Sequence, residues 1–445
     1  MKSLIRVLCF LYITFSVALQ TPAGVHSIGN YQLSDPGQEY YKAALEAARR
    51  GDDEQAVASF TAALEKGYNT SRLHYNLGVV LLRLEQHSKA ARAFRRAATD
   101  PELAALAEYN LGLIALRSRH WLKARDKFNR AADNARTPQL HALSARALER
   151  LPPAPKPYML LAELSAGYDD AASISSDGLG GGEKEGDLFA GVWLYAEYWM
   201  SGNAYRGVQI FGSMYMLSFS EESDSDLILL ETGAGIRQPV DIWETGARIT
   251  GRHNRLDGNQ LENSVEFAAE GSRLLFADDL RSGPLLSLRY RLELIDGGSR
   301  YAYLRGTKQD IRTRISLPLQ KGRLVADYTI EHNDRDDVRT ETQFTSASPQ
   351  RHRFAISYRQ PLNNSWHILT AASWRTSRFS GKNTLEDGTT KERKDRRLTL
   401  SGKLSYRHSD RLTPFLRGEW ISNSSNIAYY DYDQARISTG AEWLF

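Results

Sequence analysis

Apolar and polar residues change their spacing once along this chain, near Pro152, and the two halves predict different elements. Before that point apolar residues recur at helical spacing; after it they recur at every second position, the period of a strand. The final segment shows the second pattern most plainly. Ala435, Ile437, Thr439, Ala441, Trp443 and Phe445 share one face, and Arg436, Ser438, Gly440 and Glu442 share the other. Leu286, Leu288, Tyr290, Leu292 and Leu294 alternate in the same way with Ser287, Arg289, Arg291 and Glu293, as do Leu398, Leu400, Leu404 and Tyr406 with Arg397, Thr399, Ser401 and Lys403. Strands that put apolar side chains out and charge in are the unit of a membrane barrel. Segment counting between 158 and 445 gives about fourteen such strands, with lengths near the nine to eleven residues that a tilted spanning strand needs. Short connections such as Gln320-Lys321-Gly322 alternate with long polar ones such as Asn333 to Gln350 and Phe379 to Asp395, and an even strand count puts both barrel ends on one side. Trp193, Tyr195, Trp199, Trp243, Trp366, Trp374, Trp420 and Trp443 sit toward segment ends and are expected to form interfacial girdles.

The helical half is a repeat. Ala56, Ala90 and Ala124 lie 34 residues apart, as do Phe60, Phe94 and Phe128, and Leu77-Gly78 recurs as Leu111-Gly112. This pattern resembles the tetratricopeptide repeat, in which small residues let two antiparallel helices approach and the Phe fills the gap between them. Three repeats and a capping helix, Gln139 to Leu151, are expected over 28–151, followed by a proline-rich linker at 152–157 that cannot continue a helix. Tyr41, Tyr75 and Tyr109, with Lys42, Asn76 and Asn110 and with Arg49, Arg83 and Arg117, keep the same period on the first helix of each pair. That helix lines the concave groove in such repeats, so these nine residues are candidates for partner binding; common repeat filler is the plainer reading.

Composition narrows the classes further. Residues 1–27 read as an export signal, Lys2 and Arg6 preceding an apolar run too short to span a bilayer, and the single cysteine, Cys9, lies inside it. The rest of the chain therefore has no thiol chemistry and no disulfide. No later segment reaches eighteen consecutive apolar residues, so a membrane span here must be β. With 57 basic against 53 acidic residues, the total charge implies no nucleic-acid partner. Serines and His352, His367 and His408 carry no spaced catalytic motif, the ten histidines have no clustered acids, and the Gly180-Gly181-Gly182 run lacks the context of a phosphate loop. No enzyme, metal or cofactor is expected. The inward face is instead rich in arginine: Arg289, Arg291, Arg312, Arg314, Arg353, Arg359, Arg397 and Lys403, facing inward acids Glu266, Glu270, Glu293, Asp327 and Glu331. They form either a cationic wall for anionic cargo or ladders that brace the barrel.

The closing strand, ending on Trp443 and Phe445, resembles the C-terminal assembly signal of outer-membrane barrels, which the insertion machinery recognises. As a whole the chain, a tetratricopeptide α-solenoid before an antiparallel transmembrane β-barrel, resembles the surface lipoprotein assembly modifier family, and Gly167-Tyr168-Asp169-Asp170 looks like the opening of that barrel. Exopolysaccharide exporters share the theme with a larger barrel. The resemblance implies an outer-membrane translocation pore with its repeats in the periplasm, exporting a lipoprotein or other protein with the help of a cargo-binding or chaperone-binding module. Polysaccharide export and a passive or structural porin are the alternatives.

Overall fold

The computed structural model describes residues 36–118, 120–154, 156–172, 185–240, 243–275, 283–339, 344–385 and 387–445. The expected signal at 1–27, Cys9 and the Gly180–Gly182 run lie outside them. Two compact units divide the chain, Met1–Leu151 and Pro152–Phe445.

The first unit holds α1 (Pro36–Arg50), α2 (Asp53–Glu65), α3 (Ser71–Arg83), α4 (His87–Ala97), α5 (Ala104–Arg117), α6 (Trp121–Asp133) and α7 (Pro138–Glu149). Short polar side chains start several of them: Asp52, Thr70 and Thr137 accept the backbone N–H of Gln55, Leu73 and Leu140 at 3.2, 3.2 and 3.3 Å. The repeat glycines are dictated by packing. A Cβ on Gly78 would lie 2.9 Å from the Phe94 ring, and one on Gly112 2.6 Å from Phe128, so only glycine lets the paired helices close over these fully buried rings. Leu140, Ala147 and Leu151 complete the core around Phe128, so α7 and Leu151 beyond it pack on the last repeat.

The second unit is a closed antiparallel barrel of fourteen strands. They are β1 (Tyr158–Asp169), β2 (Asp187–Gly202), β3 (Gly207–Phe219), β4 (Leu227–Val240), β5 (Trp243–Leu256), β6 (Asn259–Leu274), β7 (Leu285–Gly297), β8 (Gly306–Leu319) and β9 (Gly322–Arg335), then, after a small hairpin of β10 (Val338–Arg339) and β11 (Phe344–Thr345), β12 (Pro349–Pro361), β13 (Trp366–Thr384), β14 (Thr390–Tyr406), β15 (Leu412–Ser425) and β16 (Tyr432–Leu444). Each strand pairs with its neighbour in sequence, apart from β12, which passes the hairpin to pair with β9, and β16 closes on β1. Closure leaves no unpaired edge, which a barrel in lipid requires.

Burial confirms the alternation in most strands. Leu288, Tyr290, Leu294, Leu398, Leu400 and Ile437 are exposed on the outside, while Arg289, Arg291, Glu293 and Arg397 turn inward and are at least half-buried. One face assignment is corrected. On β2 the exposed large apolar residues are Leu188, Leu194, Tyr198 and Met200, all of one parity, so Trp193, Tyr195 and Trp199 point into the lumen and belong to no girdle. Both parities of this strand are apolar, so alternation alone has nothing to sort. The long loops also differ from expectation: β13 and β14 run on past Phe379 as a projecting hairpin, with a register shift between Arg378 and Lys382.

Candidate functional site

In the helical unit, the residues expected to line a groove are largely spent on holding the repeats together. Asn76 donates to the Tyr41 hydroxyl at 2.9 Å, and Asn110, fully buried, donates to the Leu106 carbonyl at 2.9 Å and the Tyr75 hydroxyl at 3.4 Å. Tyr41 and Tyr109 are buried and pack on Phe60 and Phe128, with ring centroids 5.9 and 5.5 Å apart. Arg83 reaches back to Asp53 at 2.5 Å, and Arg117 pairs with Glu85. The 34-residue spacing thus reports contacts between one repeat and the next. Lys42 and Arg49 are exposed, and Tyr75 and Asn76 are half-buried. A buried carboxylate, Glu108, bridges α5 to Lys127 at 2.8 Å and Arg130 at 2.9 Å on α6; burial pushes the Lys127 ammonium below the usual lysine range, against the pull of that carboxylate.

The barrel lumen has two unlike walls. Along β4 to β9 it is ionic and neutralised. Arg252 donates to three acids at once, Glu231 at 2.6 Å, Glu266 at 2.7 Å and Glu293 at 2.8 Å. Arg291 joins Asp310 at 2.5 Å and Glu266 at 3.3 Å, Arg312 and Arg314 each donate to Asp327 at 2.7 Å, and Arg289 lies 3.8 Å from Asp310. Charges this close and partly desolvated lock the side chains into one arrangement, because a partner left alone carries a large desolvation penalty. A cavity of ≈ 250 Å³ opens beside this network near the rim with the short turns, lined among others by Tyr205, Arg237, Glu270, Arg289, Arg312 and Arg314.

On β2 and β3 the wall is aromatic instead. Trp193 and Tyr195 stack at 6.1 Å, Tyr195 donates to Glu197 at 2.8 Å and Trp199 donates to the same carboxylate at 3.2 Å. Phe211, Leu217 and Phe219 share the inward face of β3. These residues escaped sequence reasoning because they resemble lipid-facing positions; the glutamate at 197, two positions from both Tyr195 and Trp199, is the one signal that marks their parity as inward.

The remaining candidates lie on β12 to β16. Arg353 and Arg359 are on the inward parity of β12, Arg359 opposite Arg323 near the short-turn rim. Lys403 pairs with Glu442 and lies 4.0 Å over the Phe415 ring. Trp443 and Phe445 sit at the closing seam: Trp443 is opposite Ala162, and the Phe445 backbone N–H donates to Leu160 of β1 at 3.0 Å. The opening Asp169-Asp170 holds the other end of the same seam, against Gln434 to Arg436. Asp169, fully buried, accepts from Gln434 at 2.9 Å, from the Arg436 Nε at 2.9 Å and from the Ala171 N–H at 3.1 Å, and Asp170 accepts from Ala435 at 2.7 Å. No cluster of metal-ligating side chains is present among the described residues.

A closed fourteen-strand barrel with an apolar exterior and an ionic lumen, following tetratricopeptide repeats, defines an outer-membrane protein whose helical module belongs to the periplasm. The tetratricopeptide repeat family model matches residues 41–104 and 81–141, and the surface lipoprotein assembly modifier family model matches residues 324–445, the last strands of the barrel, so the resemblance to that family holds at the level of sequence. Family and fold together point to an outer-membrane barrel for protein export or assembly, a transport or structural protein rather than an enzyme. Among solved structures, a bacterial polysaccharide outer membrane secretin is similar at 11% identity, covering 66% of this chain and 100% of its own, with a TM-score of 0.36. A loop-deletion form of the Vibrio cholerae outer membrane protein OmpT is similar at 7% identity, 65% and 98% coverage and a TM-score of 0.34. Over the helices, the Yersinia enterocolitica type III secretion chaperone SycD, bound to a peptide of the translocator YopD, is similar at 22% identity, 27% and 95% coverage and a TM-score of 0.24. No curated protein matches the chain.

Proposed function

We propose that this protein carries a surface lipoprotein or another secreted protein across the outer membrane, and that its repeats receive that cargo, or a chaperone holding it, in the periplasm. The observation that carries this reading is the two-sided lumen. Aromatic side chains on β2 and β3 suit the apolar residues of an extended polypeptide, and the neutralised ionic wall from β4 to β9 offers donors and acceptors without a net field that would select one sign of charge. The family match over residues 324–445 supports the same reading. In the repeats, Lys42, Arg49, Tyr75 and Asn76 are the members of the expected set that keep some exposure, and a partner's extended segment would meet them first. Trp443 and Phe445 would serve the insertion machinery at the strand where the barrel closes. Polysaccharide cargo is the second reading, favoured by the stacked Trp193 and Tyr195, since sugar rings lie flat on aromatic faces.

The test is a photo-crosslinking residue placed in the full-length protein at Trp193 and, separately, at Lys42, in cells producing their native surface proteins. Protein adducts of the same mass increment at both positions are expected. Adducts to carbohydrate alone at Trp193 would transfer the conduit to the second reading.

A further inference from the structure

The ionic wall from β4 to β9 balances as a whole and not along its length. Away from the short turns, carboxylates are in excess: one guanidinium, Arg252, serves Glu231, Glu266 and Glu293 together. Toward the short turns the ratio is reversed. Arg312 and Arg314 share the single carboxylate of Asp327, and Glu270 lies 3.5 Å from Arg237 and 3.9 Å from Arg248. Arg289 comes within 3.8 Å of Asp310, but that acid is bonded to Arg291 at 2.5 Å, and the Nε of Arg289 is buried without a partner. The basic excess continues round the rim, where Arg359 lies opposite Arg323, which donates to the neutral Ser316 hydroxyl at 3.2 Å.

Bracing leaves this end of the ladder unevenly matched, and a space opens in front of it. The ≈ 250 Å³ cavity at the short-turn rim is fronted by these arginines, and the side chains of Arg289, Arg312 and Arg314 keep 25%, 27% and 43% exposure. That volume is several times the roughly 30 Å³ that one water takes in the liquid, so it has room for more than a compact ion. Glu244 and Glu270 also line it, and carboxylates beside the arginines disfavour a small group carrying two negative charges. Single negative charges spaced along a chain avoid that repulsion. They meet the arginines one at a time, each planar guanidinium fork holding a carboxylate by two hydrogen bonds.

We propose that Arg237, Arg289, Arg312 and Arg314 form a docking site for an acidic segment of an extended polypeptide at the short-turn rim of the lumen. The source of that polypeptide rests on the protein-export reading; the site adds what the cargo presents, aspartate or glutamate side chains. The segment is held at the rim, because the carboxylates gathered around Arg252 repel it further along the wall.

The test uses full-length protein in detergent at constant ionic strength and reads the fluorescence anisotropy of two labelled peptides, one alternating glutamate with serine and the other lysine with serine. Wild type is expected to bind the glutamate peptide saturably and the lysine peptide at least about tenfold more weakly. Arg289→Gln should weaken binding of the glutamate peptide about tenfold, Arg289→Lys should keep part of it, and Glu270→Gln should tighten it, because a lining carboxylate is gone. Arg378→Gln, at an exposed outward position paired with Glu392, should bind as wild type does. If Arg289→Gln loses the compact gel form, Arg237→Gln makes the same comparison, since Arg237 is only loosely paired, 3.5 Å from Glu270. Peptide binding reads the site alone and crosslinking at Trp193 reads export, so a failure of one is distinct from a failure of the other. Inorganic phosphate is added as a competitor, and displacement at lower concentrations than free glutamate needs would assign the arginines to a small oxyanion and overturn the docking site. Equal binding of the two peptides by wild type, or unchanged affinity in the Gln variants of both Arg289 and Arg237, would overturn it as well.

Discussion

Single residues carry definite loads in both units. Asp169 closes the seam between the first and last strands, and it is fully buried with Gln434 and Arg436 on its oxygens. Asp169→Asn keeps the shape but strands the Arg436 charge; breaking a buried pair costs about 3–5 kcal/mol, and because Arg436 is about a third exposed the expected loss is about 2–3 kcal/mol. It is read as a lower temperature for loss of the compact gel form; an unchanged temperature would show that backbone pairing alone holds the seam. His74 is a second such residue. Burial, then the nearby Arg96, pushes its imidazole below the ordinary value, and its Nε2 lies 2.6 Å from Asn69 Oδ1. A histidine with a depressed folded value binds fewer protons folded than unfolded, so its contribution is fully present above about pH 6.5 and is lost as the pH falls through the folded value. The helical melt at 222 nm should therefore move to lower temperature between about pH 7.5 and pH 5.5, and His74→Gln should reduce that slope. An equal slope in the variant would assign the pH dependence to other groups.

At the scale of elements, the period of the side-chain pattern made most of the architecture legible before any coordinates. Fourteen strands and three helix pairs follow from dyad and 34-residue spacing, because burial on one face forces those periods. Three features were not legible, each for its own reason. The faces of β2 were ambiguous because Leu188 to Met200 is apolar at both parities. The outward continuation of β13 and β14 reads as a loop because beyond the bilayer neither face needs to be apolar. The Tyr-Asn ladder has the same spacing whether it faces a partner or the adjacent repeat, and only the coordinates show the bonds from Asn76 to Tyr41 and from Asn110 to Tyr75 that join one repeat to the next. Two element-scale predictions follow from packing. Phe94→Ala, which empties the fully buried space between α3 and α4, should destabilise the helical unit by about 3–5 kcal/mol and leave the compact gel form of the barrel in place. Deleting Phe445 should slow insertion into the outer membrane while the repeats keep their helicity, since the removed residue bonds at the β1 seam; normal insertion would deny the terminal aromatic its role.

For the whole molecule, the ionic ladders from β4 to β9 and the aromatic wall of β2 and β3 give one lumen two kinds of surface, which would suit the mixed side chains of the proposed polypeptide cargo. A barrel of fourteen strands is wider than those filled by their own side chains and narrower than the open porins, so passage depends on what the lumen admits. The most direct measurement is a comparison of surface-labelled proteins on intact cells with and without this gene, quantified by mass spectrometry alongside total membrane lipoproteins and bound polysaccharide. Loss of one or a few proteins from the surface, with their total amounts retained inside and polysaccharide unchanged, is the predicted result. An unchanged surface proteome, with or without a loss of polysaccharide, would contradict protein export as the function.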